Sequence, residues 1–199
     1  LTGHMLEERL LLKKKDFYKT NKIKLIFSMA KNIDREKKEI YLQSGEKIAY
    51  TKLVIATGSR ARKAPISDAD DFSNVAYLRN LNDAKNVKNL LQPGKKMLIV
   101  GGGYLGLEVA SVCSLAGMDT IVVEGADRIL KRVAGEPTAT YLKKIFLIKG
   151  VKIIENEIVN KINSFENNVT NVELVSGKMI DLDFLLVATG GYPEVALAK

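Results

Sequence analysis

The sequence predicts an α/β fold, a parallel sheet wound with helices and carrying an antiparallel β appendage. Three observations point there. Strand-like and helix-like segments alternate between residues 96 and 150, a Gly-x-Gly-x-x-Gly pattern sits at one strand-to-helix junction, and one seventeen-residue segment is written twice. The two copies, LQSGEKIAYTKLVIATG (42–58) and LVSGKMIDLDFLLVATG (174–190), share eight identities at a constant offset of 132.

Taken in order, KIKLIFSMA (22–30), EIYL (39–42) and KLVIAT (52–57) read as strands, with SGEK as a hairpin turn before the last. A polar connector follows GSRARKAPI. NLNDAKNVKNLLQPG (80–94) is then a helix with Asn82 or Asp83 near its start and Pro93-Gly94 past its end. KMLIV (96–100) is a strand, 103–117 a helix stopped by Gly117, DTIVVE (119–124) a strand, and PTATYLKKIFLIKG (137–150) a helix opened by proline and closed by glycine. The remaining segments, VKIIE, EIVNKINSFE, NVTNVELV and FLLVATG, are strand-rich.

Composition removes several function classes. With 199 residues, 46% hydrophobic and 27% charged, the chain can bury a core as one large or two small domains. One cysteine, Cys113, and one histidine, His4, leave no disulfide framework, CxxC pair, His dyad or metal cluster, and fit a reducing, cytoplasmic setting. Residues 97–118 are apolar enough to suggest a membrane span, but five glycines and Glu108 divide them into strand, turn and helix. LTGHMLEERLLLKKKDFY is too charged for a signal peptide. The net charge of +8 comes from lysines spread along the chain, which reads as a solvated surface rather than a nucleic-acid or acidic-protein docking face.

The pattern Gly101-x-Gly103-x-x-Gly106 follows a strand, opens a helix, and precedes a second strand ending in the acid Glu124. Together these form a dinucleotide-binding signature. Gly101 allows the tight turn, Gly103 lets backbone approach a pyrophosphate, and Gly106 lets the helix pack close to the strand, while amides at the helix start face the phosphates. Glu124, 23 residues after Gly101, is placed to accept hydrogen bonds from the adenosine ribose and to repel a 2′-phosphate, favouring NADH over NADPH. Arg128 and Arg132 are near enough to soften that preference. Cys113 falls on the helix face shared with Val109 and Ala110 and reads as a core thiol. Glu108 either favours the dipole from the first helical turn or points toward the nicotinamide.

The second Ala-Thr-Gly ends 89 residues after Gly101, and the same interval before Gly58 falls ahead of residue 1. The repeat therefore predicts a parent with two related nucleotide-binding domains, of which this chain lacks the phosphate-binding part of the first. With YTKLVIATGSRARKAP, VAYLRNLNDAKNV, MLIVGGGYLGLEVASVCSLAG, IVVEGADRILKRV and FLLVATGGYPEVALA in that order, the chain resembles the two-dinucleotide-domain flavoprotein reductases, and most of all their NADH-dependent ferredoxin reductases of the putidaredoxin reductase type.

The resemblance implies a Rossmann-like FAD/NAD(P)-binding fold. A remnant of the FAD domain would span 1–79, the NAD-binding domain 80–190, and 191–199 would begin the return to the FAD domain. It implies that Tyr104, Leu105, Glu108, Glu124 and Arg132, with the glycines and Gly190, line the NAD site, and that Ala30, Thr57, Gly58 and Arg79 touch FAD. Hydride would pass from NADH to FAD and electrons onward to a ferredoxin-type iron–sulfur protein. No side chain serves as acid or base, because the cofactors carry the chemistry. This chain departs from that family in lacking the front glycine turn and the C-terminal Gly-Asp flavin segment and interface domain, and in carrying Glu194 where asparagine is usual. Alone it is expected to bind NADH, hold FAD poorly and catalyse little. Self-association is left open. Two alternatives stand beside this reading: a disulfide or coenzyme A-disulfide reductase, and an apoptosis-inducing-factor-like, NAD-gated binding protein.

Overall fold

The computed structural model describes Leu1, residues 5–64 and residues 72–199. His4 and part of the connector after GSRARK lie outside the described residues. The chain divides into two compact units, one ending at Ser59 and taking in Pro193–Lys199, the other Arg60–Tyr192 with Leu1 packed on its core.

In the first unit a short helix, α1 (Lys15–Thr20), precedes β1 (Ala30–Asp34), β2 (Glu39–Leu42) and β3 (Lys47–Ala49), an antiparallel sheet in the order β1-β2-β3. The SGEK turn forms but joins β2 to β3 rather than to 52–57: Gly45 sits at φ +87° and donates to Leu42 O at 3.0 Å, while Leu42 N–H donates to Glu46 O at 2.9 Å. Two expected strands do not form. Of 22–30 only Ala30 is in a strand, and 52–57 contains none. Their apolar side chains stand in solvent, Phe27 at 94% and Val54 at 87% exposure, and no neighbouring strand pairs with them among the described residues. Strand propensity describes a fit to a half-buried pleated surface, and without that surface it fixes no ladder.

The second unit contains Arg60 and Ala61 of β4 (Ser59–Ala61), then β5 (Val75–Ala76) and α2 (Leu81–Asn89). Asn80, the first residue of the expected helix, caps α2 in a reciprocal capping box with Asp83. Next come β6 (Lys96–Val100), α3 (Tyr104–Leu115), β7 (Asp119–Val123), α4 (Glu136–Ile148) and β8 (Lys152–Ile154). The meander β9 (Val159–Phe165), β10 (Asn168–Leu174) and β11 (Met179–Asp181) leads to β12 (Phe184–Val187), and β13 (Gly191–Pro193) pairs with β4 in a two-stranded ribbon.

The main sheet has the order β5-β12-β6-β7-β8, and every pair in it is parallel. Strand alternation divides its side chains between two layers. Met97, Ile99, Val122 and Leu186 join Val87 of α2 and Val109, Ala110 and Cys113 of α3 in one cluster. Leu98, Val123, Leu185 and Val187 point the other way, into a cluster with Val159, Val169, Val172 and Leu174 of the β9–β11 meander. A sheet buried on both faces needs the near-continuous apolar strands KMLIV and FLLV. Asn74 fastens the layers: its Nδ2 donates to Val169 O (2.8 Å) and Asp183 O (2.7 Å), and its Oδ1 accepts from Val169 N–H (2.8 Å). The apolar stretch 97–118 is thus most of β6, a turn and a twelve-residue helix, and no described helix is long and apolar enough to cross a membrane.

Candidate dinucleotide site

The order of the main sheet places the chain's turning point between β6 and β12: β7 and β8 follow β6 on one side, and the chain returns to β12 on the other. In open parallel sheets the crevice at the carboxyl ends of such strands is where ligands bind. Here it is bounded by the Gly-rich turn after β6 and the Gly190 loop after β12.

Each glycine of the turn has a separate geometric reason. Gly101 lies at φ +114°, and a Cβ there would come within 2.5 Å of Ala188 O, so only glycine lets β6 leave the sheet against the end of β12. At Gly106 a Cβ would stand 2.0 Å from Gly101 O, so α3 crosses its own strand too closely for a side chain. Gly103 differs: its backbone is ordinary extended chain (φ −79°, ψ −175°), and a Cβ would meet nothing within 4 Å. No protein atom demands a glycine there; the open space does, if a ligand's phosphates fill it. Gly103 is also the N-cap of α3, and no side chain caps that first turn. Gly102 adds a constraint that the spacing pattern leaves out, because its Cβ would press on Ile129 Cγ2 at 2.9 Å and Glu124 Oε2 at 3.1 Å.

Glu124 stands at the end of β7, half-buried, and its carboxylate is already held: Gly102 N–H donates to Oε2 at 2.7 Å and Ala126 N–H donates to Oε1 at 2.8 Å. Those two bonds use one lone pair of each oxygen and leave the others for a donor such as a hydroxyl. The acid read as a ribose ligand is therefore also the clasp of the Gly-rich turn.

The loop between β7 and α4 closes over this turn. Leu130, at φ +56°, donates its N–H to Gly102 O at 2.9 Å. Arg132 is exposed on the loop, and its Nη2 lies 4.0 Å from where a Cβ on Gly190 (φ +101°) would be. Arg128 donates to loop carbonyls, Ala134 O at 2.9 Å and Ile129 O at 3.3 Å. Tyr104 and Leu105 are exposed at the start of α3. Glu108 falls beyond its first turn, so a dipole role there is dropped; it lines a groove of about 290 Å³ with Leu78, Leu105, Val109 and Val112.

The structure thus brings Gly101, Gly103, Gly106, Glu124, Arg132 and Gly190 to one crevice, with Tyr104, Leu105 and Glu108 on the adjoining helix. The residues read as FAD contacts are differently placed. Ala30, Thr57 and Gly58 belong to the first unit and Arg79 to the second. Thr57 Oγ1 donates to Glu194 O at 2.6 Å, and Glu194 N–H donates to Gly58 O at 2.9 Å. No glycine-rich strand-to-helix turn adjoins them among the described residues of that unit, so the described residues fit NAD and offer FAD no phosphate cradle. Cys113 is fully buried in the helix-side cluster, and burial pushes its thiol up to about 11.

Residues 4–199 match the family model described as pyridine nucleotide-disulphide oxidoreductase. The chain belongs to that family. It is 33% identical over 199 residues, all of this chain and 51% of the relative, to a rubredoxin-NAD(+) reductase of Pseudomonas putida. Among solved structures, a covalent putidaredoxin reductase–putidaredoxin complex matches with a TM-score of 0.93 at 30% identity, over 99% of this chain and 48% of that one. A ferredoxin reductase for the CYP199A2 system of Rhodopseudomonas palustris gives 0.90 at 29% identity, over 94% and 46%. The chain spans about half the length of these relatives.

Sequence reasoning missed Gly102, Asn74 and Glu155 in this family member. For Glu155 a signal existed: like Glu124, it is an acid directly following an apolar strand.

Proposed function

We propose that this chain is the NADH-binding part of a flavoprotein reductase that passes hydride from NADH to FAD and electrons onward to a ferredoxin-type iron–sulfur protein. The NAD-binding domain is taken as 80–190, carried within the Arg60–Tyr192 unit. The observation that carries the reading is the open space at Gly103, beside a carboxylate with spare lone pairs at the end of the next strand.

In this reading the pyrophosphate lies against Gly103 and the first-turn amides of α3, where the positive end of the helix dipole favours it. Glu124 accepts from the adenosine ribose hydroxyls and repels a 2′-phosphate, and Arg128, donating to loop carbonyls, has fewer N–H groups left to bind one. Arg132 and Gly190 hold the far side of the pyrophosphate, and Tyr104, Leu105 and Glu108 line the path toward the nicotinamide. NADH supplies the hydride; the residues contribute position and shielding from water, and none has to move a proton. The similarity to reductases named for ferredoxin, rubredoxin and putidaredoxin supports the acceptor class. Cys113 supplies no exposed thiol for disulfide chemistry, so that alternative would need cysteines outside this chain.

Calorimetric titration of the chain with NADH and NADPH tests the reading. Saturable binding of NADH at least tenfold tighter than NADPH is expected, and no binding of either would overturn it.

A further inference from the structure

We propose that Glu155 is a positioning residue of the same site: it fixes the β7–α4 loop so that Arg132 is presented across the Gly-rich turn. This rests on the NADH reading.

The loop of residues 124–135 has no helix or strand of its own, yet Ile129 and Leu130 within it are almost wholly buried. Leu130 adopts a left-handed backbone conformation that is strained for a bulky residue and persists only where the surroundings over-determine it. What determines it is visible on either side. Leu130 N–H is bound to Gly102 O, and Leu130 O accepts from Val133 and Ala134 N–H at 3.0 Å each. The preceding residue, Ile129, has a buried side chain and needs an acceptor for its N–H; none of the loop's own carbonyls supplies one. Glu155 Oε1 does, at 2.9 Å, from 26 residues away.

Glu155 follows β8, and its side chain is only 12% exposed. Its second oxygen receives Lys143 Nζ from α4. One carboxylate therefore ties three elements together, the end of β8, α4 and the loop, and its charge is matched by an ammonium. A second tie, Asn156 N–H to Ala126 O at 2.9 Å, holds the front of the loop but not the part bearing Arg132. Arg132 is three residues beyond Ile129 and makes its approach to Gly190 from there. Removing the Glu155 acceptor frees the segment between the two anchors, so the expected loss is in Arg132's placement rather than in Glu124's.

The test is a double-mutant cycle in the 199-residue chain, with NADH affinity read by calorimetry at a temperature where circular dichroism shows every variant folded. E155L should weaken NADH binding about tenfold, and K143M less. R132A should also weaken it, and E155L added to R132A should cost less than about twofold, because the residue it positions is already gone. A purely structural role would show equal losses in both backgrounds and would overturn the proposal. E155Q, which keeps an oxygen for Ile129 N–H, should restore binding to within about threefold of wild type. Should E155L fail to fold, E155D, whose shorter arm withdraws the acceptor, takes its place in the cycle. NADH binding by E155L or E155D equal to wild type would refute this inference alone, whereas a wild-type chain that binds no NADH would sink both readings.

Discussion

Alanine at Gly103 and at Gly106 should separate binding from folding, because the two sites differ in what a methyl group would meet. At Gly106 the added carbon would lie 2.0 Å from Gly101 O and 3.3 Å from Ile99 Cγ2. That is more than 1 Å short of the ~3.3 Å at which carbon and carbonyl oxygen settle. Either α3 moves off β6 or the turn reshapes, an overpacking cost of about 1–3 kcal/mol. The obstacle is backbone rather than a flexible side chain, so the upper end of that range applies; alanine's better helix propensity returns at most about 1 kcal/mol, and a net loss of about 2 kcal/mol is expected. At Gly103 nothing lies within 4 Å and φ is negative, so alanine fits. Its weaker N-capping and its lower unfolded-state entropy nearly offset one another, leaving stability within about 0.5 kcal/mol of wild type. The methyl would occupy the space assigned to the pyrophosphate, and NADH affinity should fall by about tenfold or more, 1.4 kcal/mol. Urea unfolding followed by circular dichroism gives the first quantity and calorimetric titration the second. If G103A binds NADH as wild type does, the phosphates do not lie where this reasoning puts them; if G106A is as stable as wild type, the close crossing of α3 and β6 is not what excludes a side chain.

Exchanging Glu124 for Gln keeps one acceptor for the turn amides but turns the other oxygen into a donor facing an N–H. E124Q should therefore cost about 1–3 kcal/mol of stability and narrow the preference for NADH over NADPH, measured by urea unfolding and paired titrations. Asn74→Ala leaves Val169 N–H and two carbonyls unpaired in the core and should cost about 2–3 kcal/mol by the same unfolding assay, with NADH affinity of the folded fraction unchanged. Asp183 accepts from Lys96 N–H and pairs with Lys95, which hold its carboxyl below the usual 3.8. Its contribution is present above that value and lost as pH falls through the lower, folded-state pKa, so D183N should flatten the acid limb of the stability curve. The Cys113 thiol is raised from 9.0 to about 11, so stability should decline between those pH values as the unfolded chain alone ionises, a decline that C113A would abolish. In native protein at pH 8 the thiol should resist thiol reagents until urea unfolds the chain.

Much of this site was legible because its constraints are local. A glycine at φ +114°, a glycine under a helix crossing and an acid ending a strand each leave a mark within a few residues, and the parallel strands announce themselves as unbroken apolar runs. What was not legible depends on distant partners. Asn74 reaches residues 95 and 109 positions away, and Glu155 reaches 26. A lone asparagine in a polar sequence carries no sign of such a reach, and the apolar strand before Glu155 marks its place but not its partners. Arg128 is a different case: its partners are loop carbonyls one to six residues away, but nothing in the sequence says that a guanidinium turns back onto its own loop.

The repeated segment shows that limit within one chain. Both copies fold their first half alike, into an antiparallel hairpin turned at Gly45 or Gly177, each with positive φ and each bonded to the leucine three residues before. Both end on a glycine of positive φ, Gly58 or Gly190. Between hairpin and glycine they part. Leu185–Val187 lie in β12 with β5 on one side and β6 on the other, and Leu186 is 0% exposed. The equivalent residues 53–55 form no strand, and Val54, the counterpart of Leu186, is 87% exposed. A hairpin closes its hydrogen bonds within fifteen residues and so survives in either context. A central parallel strand borrows every ladder bond from segments far away in sequence, so its apolar side chains specify a strand only when those segments are present. The same sentence thus has a fixed local meaning and a conditional long-range one, and among the described residues it is the second copy that has the neighbours to complete it.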